Sequence, residues 1–217
     1  VAAPVRDVVL GQFAYDASDT AAFLRTWGEV AEAAPREVTA FLTLGQARGG
    51  QGPVAQAMVV FAGDDTDAAV QALEPFLKVG PVLDQRAQVA PYPALLVGHA
   101  GPHEGGGTPV ARSALLEHET DESAEAMTRA LATGDAYFMQ LRQVGGAVND
   151  VAADATAYPH RTAQFSLAAM GRRAEPLDRR WAELGEAARG LYLSFDTRTG
   201  PEVLAQAFPE PALGRLR

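Results

Sequence analysis

The chain contains no cysteine, which excludes a disulfide, a thiolate metal site and a thiol nucleophile. It also lacks any apolar run of about 18 residues, so no transmembrane helix and no membrane partner are expected. Cations are scarce: 18 lysines and arginines stand against 27 acids, giving a net charge of −9. A nucleic-acid backbone calls for a basic face, and none is expected here. The opening residues, Val1 to Arg6, have neither a basic start nor an apolar signal core, which makes a cytoplasmic location the default expectation. What is present is ordinary for a soluble protein: 217 residues, 47% hydrophobic and 21% charged. That is enough chain for one large domain or two small ones, and the pattern of elements below reads as one.

Periodicity divides the first half clearly. Val8 to Tyr15 alternates as a strand, and Asp16 to Thr20 offers capping side chains. Phe23, Leu24, Trp27, Val30 and Ala31 then recur at helical spacing until Pro35. Val38 to Leu44 and Val54 to Phe61 read as strands joined by a glycine- and glutamine-rich hairpin loop. Asp64, Asp65 and Thr66 open a second helix, expected to bury Ala69, Val70, Leu73, Phe76 and Leu77. An extended stretch follows near Val82 to Val89. Strand-helix-strand-strand-helix-strand is the ferredoxin-like order, an antiparallel sheet with helices on one face and the other face free.

The second half is expected to continue the same sheet. Gly98 to Pro109 is too rich in glycine and proline for a regular element. Thr120 to Ser123 starts a helix carrying Ala124, Met127, Ala130 and Leu131, and Gly134 ends it. In the strand Tyr137 to Gln143, the residues Tyr137, Met139 and Leu141 alternate with Phe138, Gln140 and Arg142. Beyond Gly145 and Gly146 come another strand and a helix bearing Leu177, Trp181, Leu184 and Ala188. Leu191 to Phe195 reads as a last strand, and a short helix follows Pro201. The fold class is therefore α+β, a mainly antiparallel sheet with helices packed on one face and a ferredoxin-like first half.

Chemistry is sparse on these patterns alone. Asp64, Asp65, Asp121 and Glu122 sit where first-turn acids favour a helix dipole. The glycines Gly105 to Gly107 precede Thr108-Pro109 and not a helix, so a nucleotide fingerprint fails on context. No G-x-S-x-G elbow occurs. His99, His103 and Glu104 share a loop but offer too few ligands for a metal site, and none is expected. His118 and His160 stand alone, where a histidine is more often structural than catalytic.

One run carries more. Gly145-Gly146-Ala147-Val148, then Thr156-Ala157-Tyr158-Pro159-His160-Arg161, then Gln164 to Met170, resembles the substrate domain of FAD-linked oxidases of the berberine-bridge-enzyme type, within the vanillyl-alcohol-oxidase-like group. Tyr192-Leu193-Ser194-Phe195 resembles that family's Tyr-Val-Asn strand. The resemblance covers the chain to about Phe208. It implies that residues 1–217 are a substrate-binding domain roofing the isoalloxazine of FAD. The FAD-binding domain of the same protein and a closing Tyr-Asp-Pro-type segment are expected to lie outside this sequence. No cysteinyl bond to the flavin can come from this chain.

Carried over position by position, the resemblance implies that Gln140, Arg142, Tyr158, Gln164, Tyr192 and Ser194 contact a small-molecule substrate, and that Arg161 contacts the cofactor. Arg161 has a structural reading as well, because its donors can tie a loop to backbone carbonyls. Where plant alkaloid-oxidising members carry a glutamate base, this chain has Ala168-Ala169, and Ser194 replaces the Asn. No catalytic base is therefore assigned. A phenol would serve only with a lowered pKa. The implied reaction is hydride transfer to FAD from an alcohol, hydroxy acid, sugar or phenolic substrate, and this chain alone is expected to bind FAD weakly or not at all. A bare sheet face also makes a homo-oligomer possible. The competing reading is a stand-alone ligand-binding or dimerisation module without catalytic activity.

Overall fold

The computed structural model describes residues 7–46, 52–63, 65–99, 110–210 and 212–216, and of residues 96–99 the backbone only. Residues 47–51 and 100–109 of the two glycine-rich loops, His103 and Glu104 among them, lie outside the described residues, as do Asp64 and the side chain of His99.

Chain order is β1 (Asp7–Asp16), α1 (Thr20–Ala33), β2 (Val38–Gly45), β3 (Val54–Phe61), α2 (Thr66–Leu73) and β4 (Val82–Pro91). Then come β5 (Val110–Leu116), α3 (Asp121–Ala132), β6 (Phe138–Gln143), β7 (Phe165–Gly171), α4 (Ala174–Ala182), α5 (Pro201–Ala207) and α6 (Ala212–Arg215). The described strands form one antiparallel sheet in the order β4-β1-β3-β2-β6-β7-β5. Its first four strands have the expected ferredoxin-like order. The last three repeat that logic in mirror order from the shared β2–β6 seam.

Capping residues set the helix starts. Asp19 accepts from Ala22 N–H before α1, and Asp65 from Asp67 and Ala68 N–H before α2. Thr120 and Ser123 cap each other's backbone at the start of α3. Gly134, at φ +77°, follows α3 in the left-handed region that glycine tolerates. The main core lies between sheet and helices, where Phe23, Leu24 and Trp27 of α1 meet Tyr15, Leu42, Leu141 and Leu167. The Trp27 ring meets Phe76 edge-on at 5.5 Å, and the buried Tyr15 hydroxyl donates to Phe76 C=O at 2.9 Å.

Four sequence expectations need correction. Val70 is 60% exposed and Leu77 is exposed too, because α2 turns Ala69, Ala72 and Leu73 inward and stops at Leu73, before Pro75 in a 3₁₀ turn. Trp181 is only half-buried at the margin of the core. Strand β5 lies in a stretch for which the sequence patterns predict no element. Leu191 to Phe195 is not a strand: after one bridge between Leu116 and Ala188, the chain makes a 3₁₀ turn over Leu193–Phe195. Side chains replace the ladder there, Ser113 Oγ accepting from Tyr192 N–H and Asp196 from Ser113 N–H. This segment takes the edge place beside β5 that β4 takes beside β1.

Candidate functional site

Strand alternation leaves one sheet face away from the helical core. Across it run two rows in register, Gln12–Met58–Phe41–Arg142–Ser166–Leu115 and Ala14–Gln56–Thr43–Gln140–Ala168–Ser113. The intervening Met139 and Leu141 of β6 point into the core, so Gln140 and Arg142 share the outer face as their alternation predicts. The face is not uniformly bare. Leu115, Ala168, Ser113 and Ser166 are buried, whereas Gln12, Thr39 and Gln56 toward β1 are exposed. Arg142 stands between the covered and open parts.

Gln140 is 6% exposed, and its Oε1 accepts a 3.2 Å hydrogen bond from Arg142 Nη2. The Arg142 guanidinium carbon lies 5.1 Å from the Phe41 ring centroid and 4.3 Å from that of Phe195. Burial pushes the guanidinium pKa down, and the nearby Tyr192 oxygen offsets part of that. Tyr192 is 46% exposed, with its ring 5.4 Å from Phe195. Gln140, Arg142 and Tyr192 thus form one group, closed by two phenylalanines that the sequence reading did not single out.

Tyr158 and Arg161 form another. The Tyr158 ring meets His160 edge-on at 5.7 Å and lies 5.1 Å from the Arg161 guanidinium. Burial raises the Tyr158 pKa, with the Arg161 charge acting against it. The phenol is therefore held protonated, suited to donating a hydrogen bond and unsuited to acting as a base. Arg161 Nη1 donates to Val148 C=O at 3.0 Å and Nη2 to Thr156 Oγ1 at 2.5 Å. These bonds close the loop that the TAYPHR run belongs to. His160 Nε2 lies 2.9 Å from Ala207 C=O, and its ring fills the space a side chain at Gly190 would need, 2.3 Å from a Cβ built there.

Gln164, half-buried, fits against Gly145: a Cβ at that glycine would meet Gln164 Oε1 at 2.0 Å. Ser194 is exposed and has no hydrogen bond to a described residue. No cluster of three or more metal-binding side chains occurs among the described residues, and none of their helices is long and apolar enough to cross a membrane. A groove of about 590 Å³ lies between α1 and α2, lined by Val30, Ala34, Phe61, Ala72 and Phe76 among others. None of the six proposed substrate residues reaches it.

One perturbed carboxylate was missed. Glu119, beside α1, has its pKa raised to about 8 by burial, with Ser123 opposing and the Glu32 charge adding to the rise. Its Oε2 is buried without a partner among the described residues. It lies on the helix side of the sheet, away from Arg142.

No family model and no curated protein matches the sequence. Solved structures do match. Physcomitrella patens BBE-like 1 superimposes with a TM-score of 0.77 at 17% identity, over 98% of this chain and 50% of its own. Glucooligosaccharide oxidase from Acremonium strictum, which carries a 6-S-cysteinyl, 8α-N1-histidyl FAD, gives 0.75 at 16%, over 97% and 51%. Berberine bridge enzyme in complex with (S)-reticuline gives 0.70 at 14%, over 90% and 44%. The fold is that of berberine-bridge-enzyme-like oxidases. This chain spans about half the length of each oxidase it matches.

Proposed function

We propose that this chain is the substrate-binding domain of a FAD-dependent oxidoreductase, which roofs the flavin and orients an alcohol, hydroxy acid, sugar or phenol for oxidation. The observation carrying this reading is that nearly the whole chain superimposes on about half of each oxidase. That half-length match fits what the described residues lack. None of their strand-to-helix turns is a glycine-rich loop of the kind that cradles a pyrophosphate. The outer sheet face fits a different task, covering a flat ring with the half-buried Phe41, Met58 and Val60. FAD, when bound, supplies the hydride acceptor.

In this reading the chain's own residues orient and exclude. Gln140 fixes the Arg142 donor edge, and Tyr192 borders it. Tyr158 stays protonated and donates to a substrate oxygen. With Ala168 and Ala169 on β7 and Tyr158 held neutral, neither position supplies the proton acceptor.

The complete gene product containing this chain should be yellow, absorbing near about 450 nm, and an oxidisable substrate should bleach it under anaerobic conditions. The 217-residue chain should take up no FAD with micromolar affinity. A colourless complete product would overturn this reading and favour a stand-alone binding module.

A further inference from the structure

The arginines differ in what answers their charge. Arg112, with a side chain 4% exposed, grips Asp178 through bonds of 2.5 and 3.0 Å. Arg180, 29% exposed, pairs with Asp135 and Glu183, and Arg198, 30% exposed, pairs with Asp196. Arg142 is half-buried as well, yet it forms no ion pair with any described carboxylate. Its hydrogen bond to a described residue is the one from Nη2 to Gln140.

A guanidinium has five N–H donors, and a neutral amide oxygen answers one of them here. The guanidinium carbon stands over the rings of Phe41 and Phe195, neither of which brings a carboxylate or a lone-pair acceptor to the remaining donors. Partial burial removes water from the cation, and a desolvated charge costs free energy until an opposite charge meets it. Among the described arginines, Arg86, Arg172, Arg173, Arg189 and Arg215 also form no ion pair but are exposed to water. Half-buried Arg161, likewise without a carboxylate, donates to Val148 C=O and Thr156 Oγ1, so Arg142 is the half-buried guanidinium left with a single described acceptor.

We propose that the molecule bound at this face carries a carboxylate, and that Arg142, steadied by Gln140, Phe41 and Phe195, binds it. That the molecule is also the substrate rests on the function proposed above. A carboxylate is the anion that matches two parallel in-plane N–H donors, and the pairing is charge-assisted. Hydroxyl groups of a neutral sugar meet the same edge without the charge. Among the substrate classes open to this fold, the geometry selects hydroxy acids and uronates.

Two measurements test this, with glucuronate and lactate as carboxylate probes and glucose as the neutral control. In the 217-residue chain, the NMR signal of Arg142 Nε–H should shift saturably with a carboxylate probe. Glucose should leave it in place, and added salt should weaken the response. In the complete flavoprotein, one of the two carboxylates should reduce the flavin at least about 10-fold more efficiently than glucose. Arg142→Met should abolish that preference, and Arg142→Lys should retain part of it. No shift with either carboxylate, or equal reduction by all three probes, overturns the proposal. The titration uses unaltered protein without flavin, so it decides the role of Arg142 even if the complete product proves not to be a flavoprotein.

Discussion

Glu119 is wedged against Gly28: a Cβ built on Gly28 would stand 2.4 Å from the Cβ of Glu119. Gly28 is buried on α1, and at that distance an added methyl must displace the neighbouring chain. Gly28→Ala should therefore destabilise by about 1–3 kcal/mol despite the better helix propensity of alanine. Chemical denaturation of the two proteins measures this. A stabilised variant would mean that the segment before α3 yields freely.

The same contact makes stability depend on pH. The Glu119 pKa, raised to about 8 in the folded protein from 4.5, means that the native state holds its proton where the unfolded chain has lost it. Folding stability should then be greatest at acid pH with respect to this group and fall as pH rises from about 4.5 to about 8, by up to about 1.4 kcal/mol per pH unit. Glu119→Gln should flatten that slope and raise the melting temperature at pH 8. An unchanged slope would show that water or motion relieves the buried carboxylate.

Asp196 has the opposite sign. Burial works to raise its pKa, but hydrogen bonds from the Arg198 side chain and from the N–H groups of Arg198 and Ser113 outweigh it, and the net shift is downward. Its stabilising contribution is thus present above the unfolded pKa of about 3.9 and is lost as pH falls through the lower folded value. Because it ties the edge segment to β5, Asp196→Ala should cost roughly 2–4 kcal/mol at pH 7. The gap between the two proteins should narrow below pH 3. Thermal melts at both pH values decide this, and a constant gap would contradict the linkage.

Physics of neighbouring residues explains which parts of the fold were readable. The spacing of Phe23, Leu24 and Trp27 is the spacing of a buried helix face, and Gln140 and Arg142 share a face because alternation is local. Strand β5 hid because Arg112 and Ser113 interrupt its apolar run, and both are neutralised far along the chain, Arg112 by Asp178 at 66 residues' distance and Ser113 by the segment at Tyr192 and Asp196. Leu191 and Leu193 alternate like a strand but serve a small core with Val203 and Ala207. At the site, the approach of Phe41 and Phe195 to Arg142 is tertiary and leaves no local signal. Glu119 sits just before a helix start, where an acid reads as a cap.

Arg161 is the position where a loop fastener and a cofactor ligand make opposite predictions. Its guanidinium donates to Val148 C=O and Thr156 Oγ1, and Arg215 holds the same loop through Asp154 C=O and Thr156 C=O. With several donors spent on the loop, Arg161→Ala should speed hydrogen exchange across residues 148–158 on the order of 10-fold, corresponding to about 1.4 kcal/mol of local opening. Global melting should move much less, because the loop packs outside the main core. Arg161→Lys, which lacks the planar fork, should restore only part of the protection. A cofactor ligand would behave otherwise: exchange in the loop would stay at the parental rate, and the flavin content of the complete protein would fall. Hydrogen-exchange mass spectrometry on this chain and flavin absorbance of the complete protein therefore assign Arg161 to one role or the other.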